Sequence, residues 1–108
     1  MKAAVYYENG GPEVIRYEDA PDPQCADNGL LVRAEAISVE GADTVNRWRG
    51  PLAARPHIVG YQAAGEVIEI GRNVTGFQLG QKVTTTGANG SHAALRAVPA
   101  STRVPLVP

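Results

Sequence analysis

The stretch PHIVGYQAAGEVIEIG, residues 56–71, decides the fold of this chain. Its second half, residues 66–70, reads Glu-Val-Ile-Glu-Ile, a short run rich in β-branched residues, which predicts a strand. Gly60 and Gly65 either form a pocket floor where a ligand meets the backbone, or they mark a strand bend and a close backbone approach. The second interpretation is favoured because no Lys-Ser/Thr pair follows them to complete a phosphate-binding loop.

The rest of the chain indicates several short strands separated by glycine and proline turns. The predicted strands are KAAVYY, VIRYEDA, LLVRAEAISV, AGEVIEI, QKVTTT and HAALRAV. The segment EGADTVNRWRG has the spacing of a short helix, which we expect to end at Gly50 in the left-handed conformation. The tail after Pro99 shows no clear element. This pattern predicts a mainly β domain, a small barrel or sandwich with Greek-key character.

Composition excludes several classes of function. The chain has 108 residues, enough for one domain, and a net charge of -1, so it offers no basic surface for nucleic acid or an anionic membrane. Cys25 is the only cysteine, which excludes an internal disulfide and a multi-cysteine zinc site. No apolar run approaches membrane-spanning length. We therefore expect a cytoplasmic protein with no nucleic-acid or membrane partner.

Candidate site residues are few. Glu40 and Asp43 lie where a strand gives way to the predicted helix, so they either cap its N-terminus or line a cleft. His57 and His92 have no Cys or His at ligand spacing and are expected to be structural. Neither a G-x-G-x-x-G motif nor a phosphate-binding loop is present, so the sequence contains no complete nucleotide site.

Three long segments carry a resemblance to a known family. MKAAVYYENGGPEVIRYEDAPDP, GLLVRAEAISVEGADTVNRWRG and HIVGYQAAGEVIEIGRNVTGFQLGQKVTTTG resemble the start of the medium-chain dehydrogenase/reductase superfamily, in its zinc-independent quinone oxidoreductase (zeta-crystallin-like) branch. The resemblance implies that residues 1–108 form a GroES-like catalytic, substrate-side domain, a partly open β barrel with one or two short helices. It also implies that the chain stops before a Rossmann domain, which would bind NADPH or NADH.

The resemblance also implies site residues. Glu40, Tyr61 and Gln62 stand where zinc-dependent relatives have Cys, His and Glu, so no zinc is expected. The implied catalytic residues are Glu40, Asp43, Thr44, Tyr61 and Gln62. Among them Tyr61, Gln62 and Thr44 would donate hydrogen bonds to the substrate, while Glu40 and Asp43 would hold geometry or relay a proton. Glu40 and Thr44 would also line the nicotinamide end of the cleft.

Two functions follow as hypotheses. The first is the substrate-side domain of a zinc-independent NAD(P)H-dependent oxidoreductase that reduces quinones or α,β-unsaturated carbonyls. The full-length protein would be a homodimer, and this chain alone would be inactive. The alternative is a non-catalytic GroES-like module for binding or assembly, which is supported by Glu40 and Val45 at positions that usually hold Asn and Tyr in quinone reductases.

Overall fold

A computed structural model of the chain describes residues 1–87 and 89–105. Within these residues the backbone forms eight strands, one α-helix and two 3-10 turns. The 3-10 turns are Pro12–Val14 and Ala100–Thr102. The helix is α1 (Gly41–Arg49), and the strands are β1 (Lys2–Tyr6), β2 (Arg16–Asp19), β3 (Gly29–Ile37), β4 (His57–Ile58), β5 (Ala63–Ile70), β6 (Lys82–Thr85), β7 (Leu95–Pro99) and β8 (Arg103–Pro105).

The strands form two antiparallel sheets that do not close on each other. One sheet has the order β2-β1-β4 and the other has the order β7-β3-β5-β6-β8. The segment before β7 joins them, because Ala94 N–H donates to the Lys2 carbonyl and the Ala94 carbonyl accepts from Ala34 N–H. The prediction of a mainly β, partly open GroES-like barrel is confirmed.

Two apolar clusters fill the interior. The larger lies on the five-stranded sheet and consists of Leu30, Val32, Val67, Val83 and Val98. The smaller lies on the three-stranded sheet and consists of Ala3, Val5 and Ala20. Both are built from aliphatic side chains at alternate strand positions, as the sequence pattern predicts. In β3 the alternation is interrupted, because register shifts let Leu31 be buried as well.

The glycines of the opening stretch have the roles that their spacing favours. Gly60 has a positive φ of 108°, and a Cβ there would lie 2.1 Å from Ser91 Oγ. Gly65 lies in β5, at the centre of the larger sheet, where a Cβ would lie 2.0 Å from the Arg33 carbonyl oxygen of β3. The first glycine therefore makes a bend and the second allows two strands to approach.

The predicted end of the helix is wrong in conformation. Gly50 is extended, with φ −78° and ψ 165°, and its N–H donates to the Asn46 carbonyl at 2.8 Å. Pro51 follows directly, and a residue before proline is biased towards extended backbone. Glycine is still required there, because a Cβ would lie 2.8 Å from Asn46 Cα.

The tail also differs from the prediction. The 3-10 turn Ala100–Thr102 leads into β8, which pairs with β6 at the edge of the larger sheet. Such a short strand forms through its distant partner and leaves little local signal. No helix among the described residues has the length and apolar character needed to cross a membrane.

Candidate active site

The strand-to-helix junction presents two carboxylates, as the sequence indicates. Glu40 lies just before α1, and its N–H donates to Asp43 Oδ2 at 2.9 Å. Ser38 Oγ donates to Glu40 Oε2 at 3.3 Å. Asp43 is buried, whereas Glu40 is half-buried. The Asp43 carboxylate thus caps the helix from inside, where the helix dipole favours negative charge.

His92 lies against this junction. Its Nε2 is 3.0 Å from the Ser38 carbonyl oxygen and 3.8 Å from Asp43 Oδ2. The first contact requires a proton on Nε2, so the ring donates to the backbone just before the helix. Asp43 Oδ1 is buried and has no hydrogen-bond partner among the described residues. The helix N-terminus is therefore fixed by one shared aspartate and one histidine.

Tyr61 follows the bend at Gly60 and faces α1. Its phenol oxygen accepts a hydrogen bond from the Asn46 side-chain amide. Because this bond uses the oxygen as acceptor, the phenol O–H remains available to donate. Tyr61 lines a pocket of about 350 Å³ together with Asn46, Pro51, Leu52, Ala53, His57 and Asn89. This pocket brings a polar donor next to apolar walls, as small-molecule sites do.

His57 forms the inner wall of that pocket. Its Nδ1 accepts a hydrogen bond from Ala53 N–H at 3.0 Å, and its ring lies 4.8 Å from the Tyr6 ring. Burial lowers the pKa of His57, so the ring is neutral near pH 7. Burial is also the main cause that raises the pKa of Tyr6, with neighbouring Tyr61 and Asp43 adding to it. Tyr6 is 1% exposed and its hydroxyl has no partner among the described residues.

The other predicted site residues lie elsewhere. Thr44 is exposed on α1, and its hydroxyl donates to the Gly41 carbonyl at 2.7 Å, which occupies its proton. Gln62 lies next to Tyr61 in sequence but lines a different depression, with Ile37 and Ser38. Of the five predicted residues, the structure brings Glu40 and Asp43 into contact and places Tyr61 on the pocket.

The resemblance places Glu40, Tyr61 and Gln62 at zinc-ligand positions, and the structure does not bring Tyr61 and Gln62 onto one pocket. Tyr61 and Gln62 open onto separate depressions, and Tyr61 is engaged by Asn46. No cluster of three or more His, Cys, Asp or Glu side chains occurs within residues 1–87 and 89–105. We therefore derive no step through zinc.

Sequence reasoning missed three residues around the pocket. Asn46 follows Asp43 by three positions, a helical spacing that puts both on one face of α1. Arg96 and Val98 are both buried and lie two positions apart in β7, so they face the same side of the sheet. An arginine at such an inward position is unusual and could have been noticed from the sequence. Asn89 lies in a glycine-rich turn and gives no signal of its own.

The partly open antiparallel barrel, with a largely apolar pocket beside its one described α-helix, defines the chain as a GroES-like domain. Residues 26–108 match the family model for the alcohol dehydrogenase GroES-like domain, and the chain belongs to this family. The resemblance to the medium-chain dehydrogenase/reductase superfamily is thereby confirmed.

Among curated proteins, L-threonine 3-dehydrogenase of Shewanella loihica is 36% identical over 79 residues. The match covers 69% of this chain and 23% of that protein. Another L-threonine 3-dehydrogenase, from Shewanella putrefaciens, is 33% identical over 73 residues. The chain therefore spans less than a quarter of these curated relatives.

Among solved structures, quinone oxidoreductase of Pseudomonas syringae superposes with a TM-score of 0.93 at 31% identity. The superposition covers 98% of this chain and 33% of that one. The Escherichia coli quinone oxidoreductase complexed with NADPH gives a TM-score of 0.90 at 25% identity, over 99% of this chain and 33% of that chain. Both solved structures are quinone oxidoreductases, and this chain covers about one third of the length of each.

Proposed function

We propose that residues 1–108 form the substrate-side domain of an NAD(P)H-dependent oxidoreductase that reduces quinones or α,β-unsaturated carbonyls without zinc. The observation that carries the proposal is Tyr61. Its phenol faces a pocket with apolar walls, and Asn46 holds the phenol oxygen while leaving its proton free. Similarity to quinone oxidoreductases supports the substrate class, and the NADPH complex of one of them supports the cofactor.

The pocket suits the charge that such a reduction creates. A nicotinamide held by a second domain would supply the hydride, whose addition leaves a negative charge on the carbonyl oxygen of the substrate. Tyr61 donates a hydrogen bond to that oxygen and then a proton, which completes a two-electron, one-hydride and one-proton reduction. Pro51, Leu52 and Ala53 give the same pocket its apolar wall.

The remaining predicted residues support this arrangement. Asp43 fixes the N-terminus of α1, the helix that carries Asn46, and thereby sets the orientation of Tyr61. Glu40 and Thr44 flank the first turn of the same helix, where we propose that the nicotinamide binds. Gln62 would contact substrates that extend past the bend. Val39 and Trp48 are exposed beside and on α1, and we propose that the second domain or a homodimer partner covers them.

The test uses the complete protein that carries this chain. NADPH oxidation is followed with a panel of quinones and enones, and L-threonine oxidation is followed with NAD in parallel. Tyr61→Phe should lower kcat/KM by about 100-fold, because the donor to the developing oxyanion is lost. Tyr17→Phe is the matched control, since Tyr17 is 74% exposed on β2, and it should retain full activity.

Three outcomes would contradict parts of the proposal. Oxidation of L-threonine without reduction of any quinone or enone would contradict the substrate class. Equal activity of Tyr61→Phe and the wild type would contradict the role of Tyr61. The absence of any nicotinamide-dependent turnover would favour the alternative, a non-catalytic GroES-like module.

A further inference from the structure

Arg96 is a buried cation directly behind the pocket. It is 5% exposed, in strand β7. Its Nη1 donates to the Tyr61 carbonyl oxygen at 2.9 Å and to Thr85 Oγ1 at 2.8 Å, and its Nη2 donates to the Asn89 carbonyl oxygen at 2.8 Å. All three acceptors are neutral. Arg96 forms no ion pair with a carboxylate within the part of the chain that the structure describes.

The hydrogen bonds connect this charge to the pocket walls. Tyr61 and Asn89, whose carbonyls receive the guanidinium, both line the pocket of about 350 Å³. The turn that carries Asn89 closes over the guanidinium with two glycines. A Cβ on Gly87 would lie 2.9 Å from Arg96 Nη2, and Gly90 has a φ of 102° and would place a Cβ 3.6 Å from Nε. The backbone at Gly87 thus approaches the guanidinium more closely than a residue with a Cβ would permit, whereas at Gly90 it is the positive φ that favours glycine.

A buried cation without a counter-ion is uncommon, because burial removes the solvation that water provides. Burial lowers the pKa of Arg96, but an arginine in a protein remains protonated at neutral pH. The side chain therefore keeps its positive charge, which is hydrogen-bonded to neutral oxygens and is not balanced by a carboxylate among the described residues. In an environment of low dielectric constant, such a charge acts on neighbouring groups over several ångströms.

Two other charged groups near the pocket have opposite signs: besides the larger effect of burial, Arg47 lowers and Asp43 raises the pKa of Tyr6. Asp43 is the other formally charged residue that is buried among the described residues, and it lies at the N-terminus of α1, 3.8 Å from His92. His57, which lines the pocket, is neutral near pH 7 because its pKa is lowered by burial. Arg47 on α1 adds positive charge near Tyr6.

We propose that Arg96 makes the pocket selective for ligands that carry, or develop, negative charge on an oxygen at the Tyr61 end. Phenolates and the enolate-like oxygen of a partly reduced quinone or enone belong to this class. The inference rests on the proposed function, since it gives the reduction a second source of charge stabilisation. Arg96 acts through the peptide groups of Tyr61 and Asn89 and is a positioning and specificity-determining residue.

The test compares an anionic probe with its neutral isostere. The complete protein is titrated with p-nitrophenolate and with p-nitroanisole, and both dissociation constants are measured by calorimetry. In the wild type the phenolate should bind about 10-fold more tightly than the anisole. Arg96→Gln should abolish this ratio while changing the affinity for the anisole by no more than about 2-fold, and Arg96→Lys should retain part of the ratio.

Arg72→Gln is the matched control, because it removes the same charge from a side chain that is 80% exposed, and it should keep the wild-type ratio. A wild-type ratio near one would overturn the inference, and this measurement stands even where Arg96→Gln does not fold. An equal loss of affinity for both probes in Arg96→Gln would also overturn it, since Arg96 would then only hold the fold of the pocket together.

The result separates the inference from the proposed function. Reduction of enones without a preference for the anionic probe would support the proposed function and contradict the proposed role of Arg96. A preference that depends on Arg96, without turnover of any quinone or enone, would support the role of Arg96 and contradict the proposed function. Binding of neither probe would contradict both.

Discussion

The interior of the five-stranded sheet and the interior beside α1 are buried to a similar extent but differ in chemistry. The sheet buries only aliphatic side chains in its main cluster, and Leu30, Val32 and Val67 are completely buried. Between α1 and the bend at Gly60 and Tyr61 the chain buries a set that we name the polar rim, to which β7 of the larger sheet contributes Arg96: Tyr6, Asp43, His57, Ser91 and Arg96. Three of these have a buried oxygen without a partner among the described residues: Tyr6, Asp43 and Ser91.

The difference indicates what each region contributes. Aliphatic burial stabilises the fold without the desolvation cost of a polar group, whereas each buried polar group loses hydration that its hydrogen bonds only partly restore. A domain of this size has little stability to spare. A concentration of buried polar groups in one place therefore indicates that the polar rim serves a site, while the sheet supplies the stability that offsets its cost.

The largest effect should come from the sheet. Gly65→Ala places a Cβ 2.0 Å from the Arg33 carbonyl oxygen of the neighbouring strand, and a backbone atom cannot move aside cheaply. We expect a loss of at least about 3 kcal/mol in the free energy of unfolding, measured by urea titration. Gly41→Ala is the control, because nothing lies within 4 Å of its Cβ position, and it should change stability by less than about 0.5 kcal/mol. Equal stability of the two variants would contradict the close approach of β3 and β5.

A smaller effect should come from the polar rim. Asp43→Ala removes the acceptor for Glu40 N–H, but it also relieves the burial of a carboxylate, so the two contributions oppose each other. We expect a net loss of about 1 kcal/mol in the free energy of unfolding. Asp19→Ala is the control, since Asp19 forms an exposed ion pair with Lys2 and should change stability by less than about 0.5 kcal/mol. A loss as large as that of Gly65→Ala would remove the distinction between the two regions.

The same division explains how much could be predicted from the sequence. The strand β5 is readable because Val67 and Gly65 alternate with more exposed neighbours, and this pattern needs no knowledge of distant partners. The strand β8 is not readable, because it exists through pairing with β6, about twenty residues earlier. Local periodicity thus fixes the central strands of the sheet, while its edge depends on distant contacts.

The candidate site was predictable only in part for the same reason. The resemblance pointed to Tyr61, but the partners of Tyr61 are Asn46, fifteen positions earlier, and Arg96, thirty-five positions later. Residue spacing carries no information about such contacts. The local signals were the helical spacing of Asp43 and Asn46 and the inward register of Arg96 in β7, where a charged side chain takes the place of an aliphatic one.

The smallest expected effect concerns the response of the polar rim to pH. Burial holds the pKa of His57 below its ordinary value of 6.5 in the folded state, whereas the unfolded chain retains the ordinary value. As the pH falls below about 6.5, the unfolded state takes up the proton first, so the free energy of unfolding decreases. Above about pH 7.5 His57 contributes almost no slope, and below that pH its slope cannot exceed about 1.4 kcal/mol per pH unit.

The measurement is a set of urea titrations between about pH 7.5 and about pH 5.5 for the wild type and for His57→Asn, whose amide oxygen can still accept the Ala53 N–H. The variant has no group to titrate at this position, so its stability should fall less on acidification than that of the wild type. Equal slopes would mean that His57 takes up its proton as readily in the folded chain as in the unfolded one. The aromatic wall of the pocket would then be open to water. His57 packs on Tyr6 and lines the pocket, so the polar rim would not carry the burial cost that distinguishes it from the apolar sheet.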